Sequence, residues 1–360
     1  MADSYDFAVF GSTPLATLLA GLLATAHGKQ VCLAADPGSA FRLPRGFDLS
    51  VMPVTRPETW ALLKETTPEV LKLLGRLRAR TGMLRVDPIF IAESSEGADA
   101  LAHMRHLAQD FGYAVERLPI GNDGAGGIAY RLRDAVFLRP AQLDPVLRGW
   151  LEKYGVGVLS TADANAYVRR DGSAKFEVRG TTIEAAHAVL ADDASILMHV
   201  EAAERDKTLL LQTATALMSE HTGPLQAPVM AYVDRGVTLV RGRTGGIAAI
   251  GAGRPEQALA RIGGCLVGHS PLRRAGQRVF RTVATVDGAP LIGTARGLRA
   301  TVLAGLGLGG AFLAPAIARM IVGTASERET AYFSAREAGR GNARALVADY
   351  AGGGTLEAAS

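Results

Sequence analysis

The chain has 360 residues, of which 48% are apolar and 21% charged, and its formal net charge is +4. The length suggests about two domains, and this apolar content excludes a mainly disordered chain. Two cysteines are too few for a disulfide framework. The 42 glycines exceed the ~7% share usual in proteins, and they follow no collagen period. They therefore indicate turns, close backbone approaches or a ligand.

The distribution of charged and apolar residues limits the classes of binding partner and the cellular compartment that we expect. The basic residues are scattered, with no run of five or six, so we expect no nucleic-acid surface. The acidic N-terminus leads directly into an apolar strand and lacks a signal-peptide pattern, which predicts a cytoplasmic protein. Residues 301–318 carry no charge, but five positions there are glycine or proline within the first fifteen. This pattern favours a strand, a loop and a helix over a transmembrane span, and leaves peripheral membrane contact open.

The first 35 residues predict one βαβ unit. Residues 6–9 and 30–34 are apolar strands, and residues 15–26 form a helix rich in Leu and Ala that ends at Gly28. Strands that are apolar throughout are typical of a parallel sheet buried on both faces.

Further elements follow from periodicity along the rest of the chain. Helices are predicted at 56–80, 97–111, 141–153, 208–220, 255–262 and 314–322. Strands are predicted at 84–92, 114–118, 157–159, 278–286 and 302–304, with a small meander at 167–191 and short antiparallel strands at 229–252.

The turn after the first strand is a weak dinucleotide fingerprint. Gly11 matches the first glycine of G-x-G-x-x-G, and Ala16 is tolerated at the third. Thr13 stands at the second position, and Pro14 removes a backbone donor. The acidic residue that would hold a ribose is Asp36, one position later than expected. Two interpretations stay open: a dinucleotide site formed by these residues, or the same fold without the ligand.

The C-terminal third carries a more specific pattern. Residues 281–293 read RTVATVDGAPLIG, and residues 304–318 read AGLGLGGAFLAPAIA. These segments resemble the closing signature of the FAD-dependent D-amino-acid oxidase family, of the glycine oxidase and sarcosine oxidase type. Weaker similarities extend the resemblance over most of residues 6–325, at 137–143, 155–158, 171–172 and 182–191.

The resemblance implies a fold and a division into domains. The expected fold class is α/β, a Rossmann-like FAD-binding domain interleaved with an antiparallel-sheet substrate domain. Residues 1–85, 131–200 and 271–330 would form the FAD-binding domain, 86–130 and 201–270 the substrate domain, and 331–360 a C-terminal tail.

The resemblance also implies site residues. It places a glycine-rich floor against the flavin, where bare N–H groups and a helix dipole stabilise negative charge. Arg281 would bind a substrate carboxylate, and Tyr232 is the nearest candidate for a substrate tyrosine. Tight packing remains an alternative for the glycines, and a structural role remains one for Arg281. The floor glycines are Gly288, Gly305, Gly307, Gly309 and Gly310.

Departures from the family pattern produce two functional hypotheses. Asp192 and Asp193 replace an Ala-Gly pair close to the cofactor, and two carboxylates there would repel a diphosphate. No metal site is expected, because the histidine pairs lack further ligands. The first hypothesis is a FAD-dependent enzyme that oxidises a C–N bond of a small amine or amino acid by hydride transfer to flavin. The second is an inactive relative that serves as a structural or regulatory subunit, with a protein partner.

Overall fold

The computed structural model describes a mixed α/β chain with two large sheets. It covers residues 4–119, 127–205, 208–266, 272–295 and 297–338. The helices are α1 Pro14–Thr25, α2 Pro57–Arg76, α3 Ser95–Asp110, α4 Pro140–Lys153, α5 Asp193–His199, α6 Ala202–Arg205, α7 Pro255–Gly264, α8 Ala314–Ile321 and α9 Glu327–Ser334. Short 3-10 helices lie at Ser39–Phe41, Arg80–Gly82 and Gly307–Leu313.

The strands alternate with these helices in the first half and cluster in the second. They are β1 Ser4–Phe10, β2 Val31–Ala35, β3 Met83–Val86, β4 Ile89–Ala92, β5 Val115–Leu118, β6 Ile128–Leu132, β7 Ala135–Leu138, β8 Gly157–Ser160, β9 Ala164–Val168, β10 Ala174–Val178, β11 Thr181–Leu190, β12 Leu209–Ser219, β13 Val229–Tyr232, β14 Val237–Arg241, β15 Ile247–Ala252, β16 Arg274–Thr285, β17 Leu291–Ala295 and β18 Leu298–Ala304.

The first sheet is the predicted Rossmann-like layer. Its main order is β17-β18-β11-β1-β2-β8, and β9 and β10 extend it beside β11. The strand β1 runs parallel to β2 and β11, so the carboxyl ends of these three strands meet at one edge. Helices α1, α2, α4 and α8 cover one face, and their side chains share one hydrophobic core with the strands. The loops at the shared edge hold the candidate site.

The second sheet carries the rest of the antiparallel structure. Its order is β16-β12-β15-β14-β13-β4-β6-β5. Helix α7 packs on one face, where Gly251 lies against Ala258 and Ile262. Helix α3 covers the other face beneath β4 and β6. The expected pairing of a parallel-stranded layer with an antiparallel-sheet layer is confirmed.

One predicted helix is wrong. Residues 208–220 were expected to be helical because Leu, Ala and Met favour helices, but they form strand β12. The strand β12 pairs with β15 on one side and with β16 along almost its whole length on the other. Hydrogen bonding on both edges therefore overrides the intrinsic preference of these residues.

Two elements lie at boundaries of the predicted domains, and that division stays a prediction. Within residues 271–330, β16 belongs to the second sheet, because it pairs residue by residue with β12. The predicted tail at 331–360 includes the end of helix α9. Tyr332 and Phe333 of α9 are buried in the main core, and Arg336 beyond it is 2% exposed. Residues 339–360 lie outside the described part of the chain.

The uncharged stretch 301–318 forms the strand, loop and helix that its glycines predicted. It runs from β18 through the 3-10 helix Gly307–Leu313 into α8. Across the described ranges, we find no helix with the length and apolar content needed to span a bilayer.

Candidate nucleotide and substrate site

Ser12 is the centre of the loop network at the carboxyl ends of β1, β2 and β11. Its backbone N–H donates to Asp192 Oδ2 at 2.8 Å. Its hydroxyl oxygen accepts the Asp36 backbone N–H at 2.9 Å, and its carbonyl accepts from Ser39 Oγ at 3.1 Å. Three chain segments are thus tied together at the turn that sequence reasoning singled out as a fingerprint.

Asp192 connects this turn to a second helix. It is the N-cap of α5, where Oδ1 accepts the Ser195 N–H at 2.8 Å, while Oδ2 accepts from Ser12. Both carboxylate oxygens therefore have a backbone donor. A Cβ at Gly11 would lie only 3.3 Å from Asp192 Cγ and 3.0 Å from Ala16 Cβ, so the space above Gly11 is filled.

The start of α1 has few backbone donors left. Thr13 is its N-cap and accepts the Ala16 N–H through its side chain at 3.3 Å. Pro14 occupies the first helical position and has no N–H. Together with the Ser12–Asp192 hydrogen bond, these features satisfy within the protein much of what a helix N-terminus offers an anion.

Asp193 lies beside Asp192 and faces the second sheet. Its carboxylate accepts a hydrogen bond from the Thr282 hydroxyl and another from the Val283 N–H. Burial raises the pKa of the Asp193 carboxyl, and the charge of Asp192 adds to that effect. Asp193 therefore joins α5 to β16 of the second sheet.

A cavity of about 250 Å³ opens next to Ser12, between β2, α1 and α4. This is close to the lower end of the range of roughly 300–1,000 Å³ typical of small-molecule sites. Its walls are largely apolar, and a few polar groups lie at the rim. The lining residues include Ser12, Thr17, Leu33, Ala35, Asp36, Ser39, Leu147, Leu151 and Val158.

Asp36 stands at the rim of this cavity with its carboxylate already engaged. Oδ1 accepts the Gly38 N–H at 3.0 Å, and Oδ2 forms a close ion pair with Arg42. This arrangement orders the turn after β2. The predicted ribose contact at Asp36 stays a prediction, since each oxygen retains a further lone pair.

Cationic side chains gather where the loop after β2 crosses the second sheet. Leu43 packs against Phe280. Burial lowers the pKa of Arg278, and the charges of Arg45 and Arg42 lower it further. The Asp36 carboxylate, which is paired with Arg42, offsets part of this charge, and the net positive charge that remains favours an anion. We call Arg42, Arg45 and Arg278 the arginine cluster.

The late glycine loop divides into two parts. Gly305 and Gly307 are exposed and have left-handed backbone angles (φ +69° and +56°). Gly309 and Gly310 are buried, and a Cβ at Gly309 would lie 2.7 Å from Met52 Sδ. Tight packing thus explains the second pair, while the first pair leaves bare backbone at the surface. Gly288 is exposed in the turn after β16 (φ +71°).

Asp48 is a functional-site candidate that sequence reasoning missed. Its carboxylate accepts the Ala311 N–H in the 3-10 helix of the late loop. Burial raises the pKa of Asp48 to about 7. In each glycine-rich loop, a backbone N–H therefore donates to an aspartate side chain of the same chain. No local pattern marks Asp48, because it lies in an irregular loop far from Ala311 in sequence.

The two predicted catalytic residues lie apart. Arg281 is exposed on β16 and has the opposite orientation to Phe280 and to Thr282, which contacts Asp193. Tyr232 lies on β13, and β12, β15 and β14 separate it from β16, which is roughly 19 Å at the usual strand spacing. The structure therefore does not bring them together, and the predicted substrate contact of Arg281 stays a prediction.

Tyr232 is held as a neutral phenol. Its hydroxyl donates to the Cys265 carbonyl at 3.1 Å. Burial raises the pKa of Tyr232 to about 12, and nearby Cys265 and Glu93 contribute. A phenol in this state is a hydrogen-bond donor rather than a base. Elsewhere in the described residues, no group of three His, Cys, Asp or Glu side chains is placed to hold a metal ion.

Comparison with known proteins identifies the fold. No protein-family model matches the chain, and a search of curated proteins finds no match. Solved structures match along nearly the whole length. L-Proline dehydrogenase from P. horikoshii has a TM-score of 0.69 at 15% identity, over 92% of this chain and 97% of that one.

Two further structures agree. Glycine oxidase from Geobacillus kaustophilus has a TM-score of 0.63 at 17% identity, over 89% of this chain and 94% of its own. L-Amino acid deaminase from Proteus myxofaciens has a TM-score of 0.69 at 11% identity, over 92% and 93% of the two chains. The chain has the amino-acid oxidase fold. This finding confirms the fold that the C-terminal motif predicted.

Proposed function

We propose that the protein is a FAD-dependent oxidoreductase that acts on a small amine or amino acid. The observation that carries the proposal is a fold shared with glycine oxidase and L-proline dehydrogenase over about nine tenths of the chain. A fold alone does not decide a function, and whether the cofactor fits depends on the residues of the site.

The cavity beside Ser12 fits the nucleoside end of FAD. Its apolar walls from β2, α4 and β8 suit a purine base, and Asp36 and Ser39 at the rim suit a ribose. It lies at the carboxyl edge of the parallel strands, where such folds bind nucleotides.

The diphosphate would lie between opposing charges. The arginine cluster supplies guanidinium groups, which bind phosphate oxygens well. The Ser12 N–H, which would otherwise face a phosphate, is donated to Asp192. The residues thus fit FAD except at one contact, where the chain provides its own carboxylate.

At the flavin end, Gly305 and Gly307 would present bare backbone to the ring. Bound FAD would supply the hydride acceptor for oxidation of a substrate C–N bond. The protein would contribute binding and orientation.

Arg278, rather than Arg281, lies on the side of β16 whose Thr282 contacts Asp193. Arg278 lies on the same side of the strand as Phe280 and Thr282, near Arg45. We therefore propose that Arg278 attracts the acidic ligand, and Arg281 is its matched control on the other side of the same strand. Arg278→Ala should raise the KM for an amino acid, or the Kd for FAD, by about tenfold. Arg281→Ala should change either constant less than twofold. The reverse order would restore Arg281 as the anchor.

The proposed function is tested on the purified protein. We expect a flavin absorption spectrum after reconstitution with FAD, a rise in Tm on FAD addition, and dye reduction with at least one member of an amino-acid panel. A colourless protein whose Tm FAD does not change would rule the proposal out.

An inactive partner subunit is the second candidate. The comparisons lend it no support, but the Ser12–Asp192 hydrogen bond favours it, because that bond satisfies the fingerprint loop without a ligand. Failure to bind FAD, together with a second protein that co-purifies in fixed ratio, would select this candidate.

A further inference from the structure

The Asp192 carboxylate does more than cap a helix. An N-cap needs one side-chain oxygen, and Oδ1 fulfils that role toward Ser195. The second oxygen, Oδ2, reaches a residue 180 positions earlier in the chain and accepts its backbone N–H at 2.8 Å. Asp192 therefore occupies the Ser12 N–H and places a negative charge at the turn that leads into α1, where the fingerprint would bring a nucleotide phosphate.

The surroundings keep this carboxylate in place. Asp192 Cγ lies over Gly11, 3.3 Å from the position that a Cβ would take there, and its Oδ1 is held by the Ser195 N–H. Ser12 is held from its other side by Asp36 and Ser39. A phosphate and the Asp192 carboxylate cannot accept the Ser12 N–H in the same position, and their charges repel.

We propose that Asp192 is an internal competitor for the FAD diphosphate, so that binding of the cofactor must displace it from Ser12. This inference rests on the proposed function and adds to it a residue that sets cofactor affinity. It predicts weak, exchangeable FAD binding in the native chain and tighter binding once the competing oxygen is removed.

The test uses substitutions that keep the helix cap. Serine is as good an N-cap as aspartate but is too short to reach Ser12, so Asp192→Ser frees the donor. Asn in Asp192→Asn has one side-chain acceptor oxygen and can satisfy Ser195 or Ser12, not both. Asp193→Asn removes a neighbouring charge that does not contact Ser12 and serves as the matched control.

Affinity is measured by titrating FAD against flavin fluorescence and against Tm. We expect Asp192→Ser to lower the Kd by about tenfold or more, Asp192→Asn to lower it less, and Asp193→Asn to change it under threefold. If Asp193→Asn lowered the Kd as much as Asp192→Ser does, the cause would be the total negative charge, and the proposal would be overturned. It would also be overturned if Asp192→Ser bound FAD no more tightly than the native chain.

Hydrogen exchange gives a readout that needs no cofactor. The Ser12 amide should be protected in the native chain and should exchange faster in Asp192→Ser, while the amides of α1 keep their protection. An unchanged Ser12 rate would show that Asp192 does not occupy this donor. The outcomes also separate the two proposals. If FAD binds to Asp192→Ser but not to the native chain, the competitor role is supported and FAD dependence of the native chain is rejected. If the native chain binds FAD tightly, FAD dependence is supported and the competitor role is rejected.

Discussion

The two glycine-rich loops of this molecule follow the same plan and differ in what satisfies them. Each follows a buried strand of the first sheet and leads into a helix, α1 or α8. In the first loop, Asp192 accepts the Ser12 N–H and covers Gly11. In the late loop, Asp48 accepts the Ala311 N–H, yet Gly305 and Gly307 stay exposed. Glycine spacing in the sequence thus marks where backbone lacks side-chain cover, whereas the tertiary neighbours decide whether its N–H groups are available to a ligand.

The packing of α1 gives the largest expected effect. A Cβ at Gly21 would lie 2.2 Å from the buried Trp150 ring of α4, whose neighbour Leu151 lines the cavity. We expect Gly21→Ala to lower the free energy of unfolding by about 2–3 kcal/mol and to weaken FAD binding. Urea denaturation measures the first effect.

Gly75 in α2 provides the matched control for Gly21. It also lies in a helix, but nothing lies within 4 Å of a Cβ built there. Gly75→Ala should stabilise the protein by about 0.5–1 kcal/mol, because alanine favours the helix. Equal destabilisation by both substitutions would show that the Trp150 contact is not the cause.

In the late loop, we expect buried and exposed glycines to differ in how much their substitution destabilises the protein. Gly309→Ala places a Cβ 2.7 Å from Met52 Sδ, and we expect a loss of about 1–2 kcal/mol. Gly307→Asn meets open space and a backbone angle that asparagine tolerates, so the loss should stay near 0.5 kcal/mol. Thermal unfolding of both variants tests the order, and a reversed order would contradict packing as the role of Gly309.

Asp48 gives a smaller effect than Gly21 or Gly309, with a specific pH dependence. A carboxyl whose pKa rises to about 7 on folding keeps its proton while the unfolded chain loses it. Stability from this group is therefore full at low pH and falls as the pH rises toward about 7. Asp48→Asn should stabilise the protein at pH 8 by on the order of 1 kcal/mol and have little effect at pH 4. A stabilisation independent of pH would exclude the proton as its cause.

Local patterns predicted much of the fold. The βαβ unit at the N-terminus appears as β1, α1 and β2, because buried parallel strands and a Leu/Ala-rich helix leave a clear apolar signal. Strand β12 was mistaken for a helix, since its Leu, Ala and Met residues favour helices and only its two neighbouring strands make it extended.

The site was predicted less completely than the fold. Gly11 was identified because it matches the first glycine of the fingerprint, and Asp192 because it departs from the family pattern. Asp48 and Arg278 were missed, because each acts through residues brought close by folding. Arg281 and its neighbour Arg278 differ by three positions on one strand, and an odd shift moves a side chain to the other face.

The sequence by itself determined most helices and strands of the two sheet layers, because hydrophobic periodicity and glycine turns depend on residues that are neighbours in the chain. It also determined that the dinucleotide fingerprint was imperfect at Thr13 and Pro14. Only the tertiary structure decided how the imperfect loop is satisfied. The Ser12–Asp192 contact joins residues 180 positions apart, and such a contact forms only when parallel strands bring their carboxyl ends to one edge.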